Sequence, residues 1–196
     1  MTAERIPLAG VIGSPIAHSK SPLLHGHWLK TLGIKGHYIP MDVAPENLET
    51  VLRALPQAGF VGVNITVPHK LAAMEIADLV TDRATLIGAA NTLIFREDGK
   101  IHADNTDGYG FIENLRQNAP DWDPKAGPAV VLGAGGSARA IAASLMAAGA
   151  PQILLTNPNR MRGAYPQTDF GANLNVTDSL SDGQHLEHTH TVWSHP

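Results

Sequence analysis

Short runs of apolar residues alternate along the chain with longer segments in which apolar residues recur every three or four positions. The short runs predict strands and the longer segments predict helices, because side chains alternate along a strand but return to one helix face at that spacing. Strands are predicted at residues 8–12, 38–43, 60–67, 129–132 and 153–156. Strands that alternate with crossover helices are typical of a mostly parallel sheet, so the predicted fold class is α/β.

The first predicted helix has both of its ends marked in the sequence. Ser21 is expected as its N-cap, a proline follows at the first helical position, and Gly33 is expected to terminate it. Leu24, Trp28 and Leu32 share one face of this helix. Both boundaries are therefore predicted from local chemistry rather than from length alone.

Further elements follow from the same patterns. Helices are predicted at residues 45–55, 70–80, 108–118 and 137–148. Two strands between residues 90 and 105 are joined at Asp98-Gly99, a dipeptide that suits the positive φ values of a tight hairpin turn.

The segment NAPDWDPKAGP at residues 118–128 contains three prolines and two aspartates, which predicts a hinge and a domain boundary near residue 120. The chain is expected to form an N-terminal open-sheet domain at 1–120 and an incomplete Rossmann-like domain at 121–184. Beyond Asn157 the periodicity fades and no element is predicted. The last twelve residues, 185–196, resemble an engineered affinity tag.

Composition narrows the class of protein. The chain has 196 residues, 43% of them hydrophobic, which is enough for one sizeable core or two small ones. A net charge of −4 argues against a nucleic-acid partner. Cysteine is absent, which excludes disulfides and thiolate chemistry and fits a reducing compartment. We find neither a signal peptide nor a membrane span and expect a cytoplasmic protein.

The segment VGVNITVPHK contains the strongest local signal for chemistry. Strand alternation directs Asn64 and Thr66 to one face, and Lys70 follows at the start of a helix. These side chains are expected to converge beyond the carboxyl end of the strand, where open α/β sheets bind their ligands. A lysine withdrawn from water has a pKa lowered toward neutrality and can exchange a proton with a hydroxyl. The alternative is a solvated lysine beside a capping threonine.

Two further polar segments, GAANTL and ADNTDGYG, add candidate ligands for a hydroxylated substrate. Asn91, Asn105 and Thr106 supply donors, and Asp107 supplies a carboxylate that can accept a substrate hydroxyl and pair with Lys70. Asp107 is alternatively the N-cap of the helix that follows it. Both roles can coexist.

The segment GSPIAHSKSP places hydroxyl groups just before the first helix. Ser19 and Ser21 are candidates for binding a carboxylate, because hydroxyls and helix N-terminal amides bind anions well. Capping alone explains Ser21 but not Ser19. His18 is a candidate base, although a lone loop histidine is more often a hydrogen-bonded support.

The segment AVVLGAGGSARA predicts a dinucleotide site. Gly133, Gly135 and Ala138 match G-x-G-x-x-G/A between a strand and a helix, so the backbone can approach a pyrophosphate. The next strand ends in Thr156 and Asn157, where NAD-binding proteins usually have an acid for the ribose hydroxyls. Three arginines lie near in sequence: Arg139, Arg160 and Arg162. This combination favours NADP.

Taken together these segments resemble the shikimate dehydrogenase family of oxidoreductases, whose members reduce 3-dehydroshikimate with NADPH in aromatic amino-acid biosynthesis. The resemblance covers about residues 6–157 and rests on five motifs in the family's order: GVIGSPIAHSKSP, NITVPHK, GAANTL, DNTDGYG and GAGGSARA. It implies an N-terminal substrate domain followed by a Rossmann domain.

The resemblance also implies residue roles. It places Lys70 and Asp107 as the catalytic pair and Asp82 as an acid near the cofactor. Ser19 and Ser21 are then expected on the substrate carboxylate, with the hydroxyls bound by Thr66, Asn91 and Asp107. For the NADP site the expected residues are Gly133, Ala134, Gly135, Gly136, Ser137, Asn157 and Arg160.

The C-terminal part departs from the family pattern. The chain reads Asn-Pro-Asn-Arg at 157–160 where the family usually has Asn-Arg-Thr, and no returning C-terminal helix with a substrate-binding glutamine follows. We therefore expect poor catalysis and an uncovered helix face formed by Ile141, Leu145 and Met146. A catalytically silent shikimate-binding module stays open as the alternative function. The choice between shikimate and quinate and the oligomeric state are also open. No metal is expected, the alternative being a site of three histidines: His185, His188 and His190.

Overall fold

The computed structural model describes residues 6–156 and 174–177 and divides the chain into two compact units. The first unit comprises the residues up to Thr85 together with Ala89–Asn105. The second comprises Leu86–Gly88 and the chain from Thr106 onward. Each unit has its own sheet and its own apolar core.

The first unit is built on a six-stranded sheet. Its strands are β1 (Leu8–Gly13), β2 (His37–Asp42), β3 (Phe60–Ile65), β4 (Leu79–Val80), β5 (Thr92–Phe95) and β6 (Ile101–Asp104). Its helices are α1 (Ser21–Thr31), α2 (Leu48–Ala54) and α3 (Lys70–Ile76), and the division of the chain into units falls within α4 (Asp82–Ile87). The strand order is β2-β1-β3-β5-β6-β4, and only β5 runs antiparallel to its neighbours. The predicted mostly parallel sheet is confirmed.

Apolar residues of the strands and of α2 form the core of the first unit. Ile12, Leu93 and Ile101 on strands and Leu48 and Leu52 on α2 are almost completely buried. Burying a side chain of this size contributes about 1.5–3 kcal/mol. Leu48 and Leu52 are four residues apart, a spacing that places two side chains on one helix face, and this face of α2 points inward.

The second unit is built on a three-stranded parallel sheet. Its elements are α5 (Asp107–Asn118), β7 (Ala129–Leu132), α6 (Gly136–Ala147), β8 (Ile153–Thr156) and β9 (Leu174–Thr177), with strand order β7-β8-β9. Ile112 of α5 joins Leu145 of α6 and Ile153 of β8 in one core. This is the start of a Rossmann-type arrangement, as the sequence predicts.

The two units separate after Asn105, earlier than the boundary near residue 120 that the sequence predicts. The reason is that α5 packs against α6, and Trp122 of the proline-rich segment packs onto the same core. Prolines and aspartates indicate a loop but do not show what the loop packs on. The limits predicted at 121–184 and 185–196 stay predictions, since most of those C-terminal residues lie outside the described ones.

Two short strands were not predicted. The helix expected at residues 70–80 ends at Ile76, because the backbone N–H of Asp78 donates to the carbonyl of Ile101 at 2.9 Å and β4 then pairs with β6. Strand β9 pairs with β8 in a region where the periodicity fades. Strand β4 has two residues and is too short for an alternation pattern to show. The four residues of β9 do alternate, but they lie in a segment without other periodicity.

The start of α1 and the side chains along it differ from expectation. Lys20 is the N-cap and Ser21 is the first helical residue, so the N-cap prediction for Ser21 is wrong. The Oγ of Ser19 accepts a hydrogen bond from the backbone N–H of Ser21 at 3.3 Å. The predicted apolar face is exposed, at 47% for Leu24 and Trp28 and 68% for Leu32.

The uncovered apolar surface of the second unit lies on its sheet. Leu145 is buried, and Ile141 and Met146 pack against the core, so the expectation that this helix face is uncovered is wrong. Instead Val130 and Leu132 of β7 are 59% and 81% exposed.

No helix among the described residues is long and apolar enough to cross a membrane.

Candidate active site

The segments that follow β1 and β3 are held together at the carboxyl end of the first sheet. The backbone N–H of Thr66 donates to the carbonyl of Ile12 at 2.9 Å, and that of Ser14 donates to the carbonyl of Val67 at 3.2 Å. A Cβ on Gly13 would lie 2.6 Å from Cγ2 of Thr66, so only glycine fits at this crossing. The peptide bond between Val67 and Pro68 is cis.

Strand β3 and the residue after it direct polar side chains to one face, as the alternation predicts. Val63 and Ile65 are buried in the core, whereas Asn64 and Thr66 are half-buried on the opposite face. Asn64 is held on three sides. Its Oδ1 accepts from the Tyr38 hydroxyl at 2.7 Å, and its Nδ2 donates to Oγ1 of Thr92 at 3.2 Å and to the carbonyl of Asn91 at 3.4 Å.

Lys70 is buried, with 8% of its surface exposed, at the first residue of α3. Its carbonyl accepts a hydrogen bond from the backbone N–H of Ala90 at 2.8 Å, which connects it to the residue before Asn91. The alternative of a solvated lysine is therefore wrong. A buried lysine is rare unless it has a partner, and burial of this kind is common at functional sites.

His69 is a buried residue that the sequence analysis did not single out. It is 1% exposed, and its Nε2 lies 2.8 Å from the carbonyl oxygen of Val43. Because a carbonyl can only accept, Nε2 carries the proton and donates. His69 is thus a hydrogen-bonded core histidine that anchors the turn before Lys70.

The predicted carboxylate site lies at the start of α1. Ser19 and Ser21 are half-buried, while His18 is exposed. A hydrogen bond from the Ser21 side chain reaches the Tyr38 phenol. Burial raises the pKa of Tyr38 to about 12 despite the lowering effect of that bond, so the phenol stays protonated at neutral pH. The Tyr38 phenol therefore lies between Ser21 and Asn64.

The residues after β6 have different roles. Asn105, predicted as a donor to substrate, is completely buried, and its Nδ2 donates to the carbonyl of Ala89 at 2.9 Å. It stabilises the turn before Asn91 instead. Asp104 accepts from Thr81 at 2.8 Å, from the backbone N–H of Asn105 at 2.7 Å and from Arg83 at 2.5 Å.

Replacing Asp104 with asparagine is expected to lower the free energy of unfolding by about 1–3 kcal/mol at neutral pH, since charge-assisted hydrogen bonds are lost. Burial opposes ionisation of Asp104, but the bonds from Arg83, Thr81 and the Asn105 backbone outweigh it and hold its pKa below 3.8. A lowered pKa means that the stabilisation is lost as the pH falls through it. The difference in the free energy of unfolding between parent and variant, measured with urea, should therefore become smaller in acid. The exposed carboxylate Asp121, changed to asparagine, is the control, and equal stability of all three forms would contradict this.

Asp107 belongs to the second unit. It is the first residue of α5, whose N-cap is Thr106, so the N-cap alternative for Asp107 is wrong. The Ser137 hydroxyl donates to Oδ2 of Asp107 at 3.3 Å, which joins the predicted catalytic carboxylate to the glycine loop. Lys70 lies in the first unit, and its pairing with Asp107 stays a prediction.

The glycine loop has the backbone form that a dinucleotide site needs. Gly133 has a φ of 116°, in the range that favours glycine, and Gly135 is the N-cap of the twelve-residue helix α6. A Cβ built on Gly133 or Gly135 would meet nothing within 4 Å, so the space beside the loop is open. Gly136 and Ser137 begin α6, and Ala134 is buried behind the loop.

The other predicted cofactor residues are less informative. Arg139 Nη1 donates to the carbonyl of Gly88 at 3.4 Å within the second unit. Asp82 is exposed at the first residue of α4. The remaining residues that the sequence analysis names lie outside the described ones: Asn157, Arg160, Arg162, His185, His188 and His190. Among the residues that the structure does describe, no group of His, Cys, Asp and Glu could hold a metal ion.

Tyr38 and Thr92 are the residues of this cluster that sequence reasoning missed. Tyr38 begins the strand predicted at 38–43 and lies in β2, and Thr92 is the first residue of β5. Both act through partners distant in sequence, since Asn64 follows Tyr38 by 26 residues and precedes Thr92 by 28. The only signal that the sequence offered for Tyr38 and Thr92 was a polar side chain near the start of a strand.

The first unit has a polar cluster at the carboxyl end of a mostly parallel sheet, and the second unit has a glycine loop after strand β7. This combination is typical of the α/β dehydrogenases with a separate substrate domain. A family model described as the shikimate dehydrogenase substrate binding domain matches residues 11–93. The chain belongs to the shikimate dehydrogenase family, as the sequence motifs predict.

Individual relatives support this assignment. A shikimate dehydrogenase (NADP(+)) from Cereibacter sphaeroides is 64% identical over 188 residues, which is 96% of this chain and 67% of that protein. A Thermus thermophilus shikimate 5-dehydrogenase, solved with NADP(H) and shikimate, has a TM-score of 0.71 and 40% identity to this chain. The match covers 80% of this chain and 57% of the Thermus thermophilus chain.

The chain is shorter than these relatives. A shikimate dehydrogenase solved in complex with NADP+ has a TM-score of 0.71 and 37% identity, and the match covers 78% of this chain but only 52% of that one. The chain thus spans about two thirds of the curated relative and about half of the solved structure.

Proposed function

We propose that the chain is an NADP-dependent oxidoreductase that interconverts 3-dehydroshikimate and shikimate. The observation that carries the proposal is the hydrogen-bonded group of Tyr38, Asn64 and Asn91 beside the buried Lys70 in the first unit. Such a group presents amides, hydroxyls and one ammonium at the carboxyl end of a sheet. That set of groups suits a small acid with several hydroxyls.

The substrate would bind by its two polar ends. Ser19 and Ser21 would bind the carboxylate, because hydroxyl donors at the start of α1 offer hydrogen bonds without a competing negative charge. Asn64, Thr66 and Asn91 would bind the ring hydroxyls, since each of these side chains can donate and accept. The arrangement would hold the ring in one orientation.

Lys70 would act as the general acid and base. In the direction of reduction its ammonium would give a proton to the carbonyl oxygen, and in oxidation the neutral amine would take the proton back. Only a small part of the Lys70 surface is exposed, which limits its contact with water. Asp107 would accept a hydrogen bond from a substrate hydroxyl and stabilise the charged lysine.

The glycine loop fits a dinucleotide cofactor, which would supply the hydride. Gly133, Ala134, Gly135, Gly136 and Ser137 would hold its pyrophosphate, because the loop leaves open space beside backbone amides at the N-terminus of α6. Asp82, Asn157 and Arg160 are proposed at the rest of this site. The names of the relatives support NADP.

We expect the chain to bind NADPH more tightly than NADH. No acid ends the second Rossmann strand to receive ribose hydroxyls, whereas Arg160 is available in sequence to pair with a 2′-phosphate. Competition titrations with both cofactors measure the difference. Equal affinities would contradict the prediction.

Calorimetric titrations with shikimate and with NADPH, run separately and followed by a turnover assay, test the proposed function. Binding of both ligands together with turnover supports the enzyme. Binding of shikimate alone would reject it in favour of a silent shikimate-binding module. A parallel titration with quinate tests the substrate preference.

The setting of the protein follows from the same proposal. A small-molecule substrate, a net charge of −4 and an absence of cysteine suit a biosynthetic enzyme of the cytoplasm without a nucleic-acid partner.

A further inference from the structure

We infer that Tyr38 is a positioning residue that helps to hold the side-chain amide of Asn91 in place, acting through Asn64 and Thr92. This inference rests on the proposed function, because it assumes that Asn91 meets substrate. The four side chains form one unbroken line of hydrogen bonds within the first unit: Tyr38 to Asn64 at 2.7 Å, Asn64 to Thr92 at 3.2 Å and Thr92 to Asn91 at 2.9 Å.

The direction of the first bond is determined by its surroundings. The side chain of Asn64 faces the carbonyl oxygen of Asn91 at 3.4 Å, and a carbonyl can only accept. The Asn64 atom on that side must therefore be the amide nitrogen, which leaves Oδ1 toward the Tyr38 phenol. Tyr38 must then donate, and a phenol that stays protonated at neutral pH always can.

The line continues from Asn64 to Asn91 through Thr92. The Oγ1 of Thr92 accepts a hydrogen bond from Nδ2 of Asn64 and donates its own proton to Oδ1 of Asn91. The Asn91 side chain is thus held by its oxygen, and a shift of that oxygen would move the whole amide that is proposed to meet substrate.

The ring of Tyr38 is fixed as well as its hydroxyl. The imidazole of His25 stacks on it with ring centroids 4.0 Å apart and planes within 4°, and Trp28 meets His25 edge-on at 5.2 Å. A stacked ring has little freedom to swing its hydroxyl away from Asn64. The hydrogen bond from Tyr38 to Asn64 is therefore rigid before any ligand binds, so less conformational entropy is lost on binding.

Replacing Tyr38 with phenylalanine keeps the stack and removes only the hydroxyl. We expect the Kd for shikimate to rise by about 5- to 10-fold, the effect of one neutral hydrogen bond, while kcat changes less. Thr92→Val breaks the same line further along and should have a similar effect. Combining both changes should weaken binding by less than the product of the single effects, because either one already breaks the line.

The matched control is Tyr109→Phe, which removes a phenol hydroxyl from a side chain of α5 that is 63% exposed. Its Kd should equal that of the parent. Thermal unfolding of each variant separates loss of binding from loss of fold. Parent-like shikimate affinity in a folded Tyr38→Phe variant, or single effects that multiply in the double variant, would overturn the inference.

The side-chain amide signals of Asn91 in the NMR spectrum provide a readout without ligand. They should shift in both Tyr38→Phe and Thr92→Val and stay in place in Tyr109→Phe. If the parent failed to bind shikimate, the proposed function would be rejected, yet these signals would still decide the coupling. Shifts in both variants support it, and unchanged signals overturn it.

Discussion

Replacing Lys70 with alanine is expected to lower kcat for the reduction of 3-dehydroshikimate by about 10²- to 10⁴-fold, the usual loss when a positioned general acid is removed. The physical reason is that Lys70 is buried at the start of α3, so water is a poor substitute for it as the proton donor. Shikimate affinity should fall much less, because the serines and asparagines that would bind substrate remain. Steady-state oxidation of NADPH measures the first quantity, and calorimetry measures the second.

Lys100→Ala is the matched control, since it removes an exposed lysine from the hairpin of the same unit. Its kcat should be that of the parent chain. A Lys70→Ala variant with nearly parental kcat would show that another group transfers the proton.

Replacing Gly108 with alanine is expected to destabilise the second unit by about 1–3 kcal/mol, in the range typical of overpacking. A Cβ at this position would lie 2.5 Å from the carbonyl oxygen of Ala140, and the backbone of α6 cannot give way without moving the helix. Urea unfolding followed by the fluorescence of Trp122, which packs on this core, measures the loss.

Gly110→Ala on the same helix provides the comparison, because a Cβ there would meet nothing within 4 Å. Alanine is the better helix former by about 1 kcal/mol, so this variant should be as stable as the parent or more stable. Equal stability of both variants would show that α5 and α6 do not approach each other as described.

The parts of the fold that the sequence predicts correctly are those determined locally. Strand β1 and strands β7 and β8 appear as short apolar runs, and the hairpin between β5 and β6 turns at Gly99, whose φ is 81°. Strand β4 has only two residues, and the alternation in β9 is too brief to stand out, so both are recognised only by their pairing with strands distant in sequence. The division after Asn105 depends on α5 packing against α6, which no local motif encodes.

The candidate site shows the same limit. The alternation in β3 placed Asn64 on one face, and the position of Lys70 at a helix start follows from the proline before it. Asn105 looked equivalent to Asn91 in sequence, yet it is buried and donates to the carbonyl of Ala89. Tyr38 gained its place only through a bond across the sheet. Polar residues can be recognised from sequence, but their partners cannot.

The most direct test of the central claim, that the polar cluster of the first unit is the substrate site, is an NMR titration of the isotope-labelled chain with shikimate. We predict saturable changes in the backbone signals of Ser19, Ser21, Asn64, Thr66, Lys70 and Asn91, with little change in the hairpin turn at Asp98-Gly99. Saturable changes elsewhere in the unit that leave these residues unaffected, or the absence of any saturable change, would contradict the account.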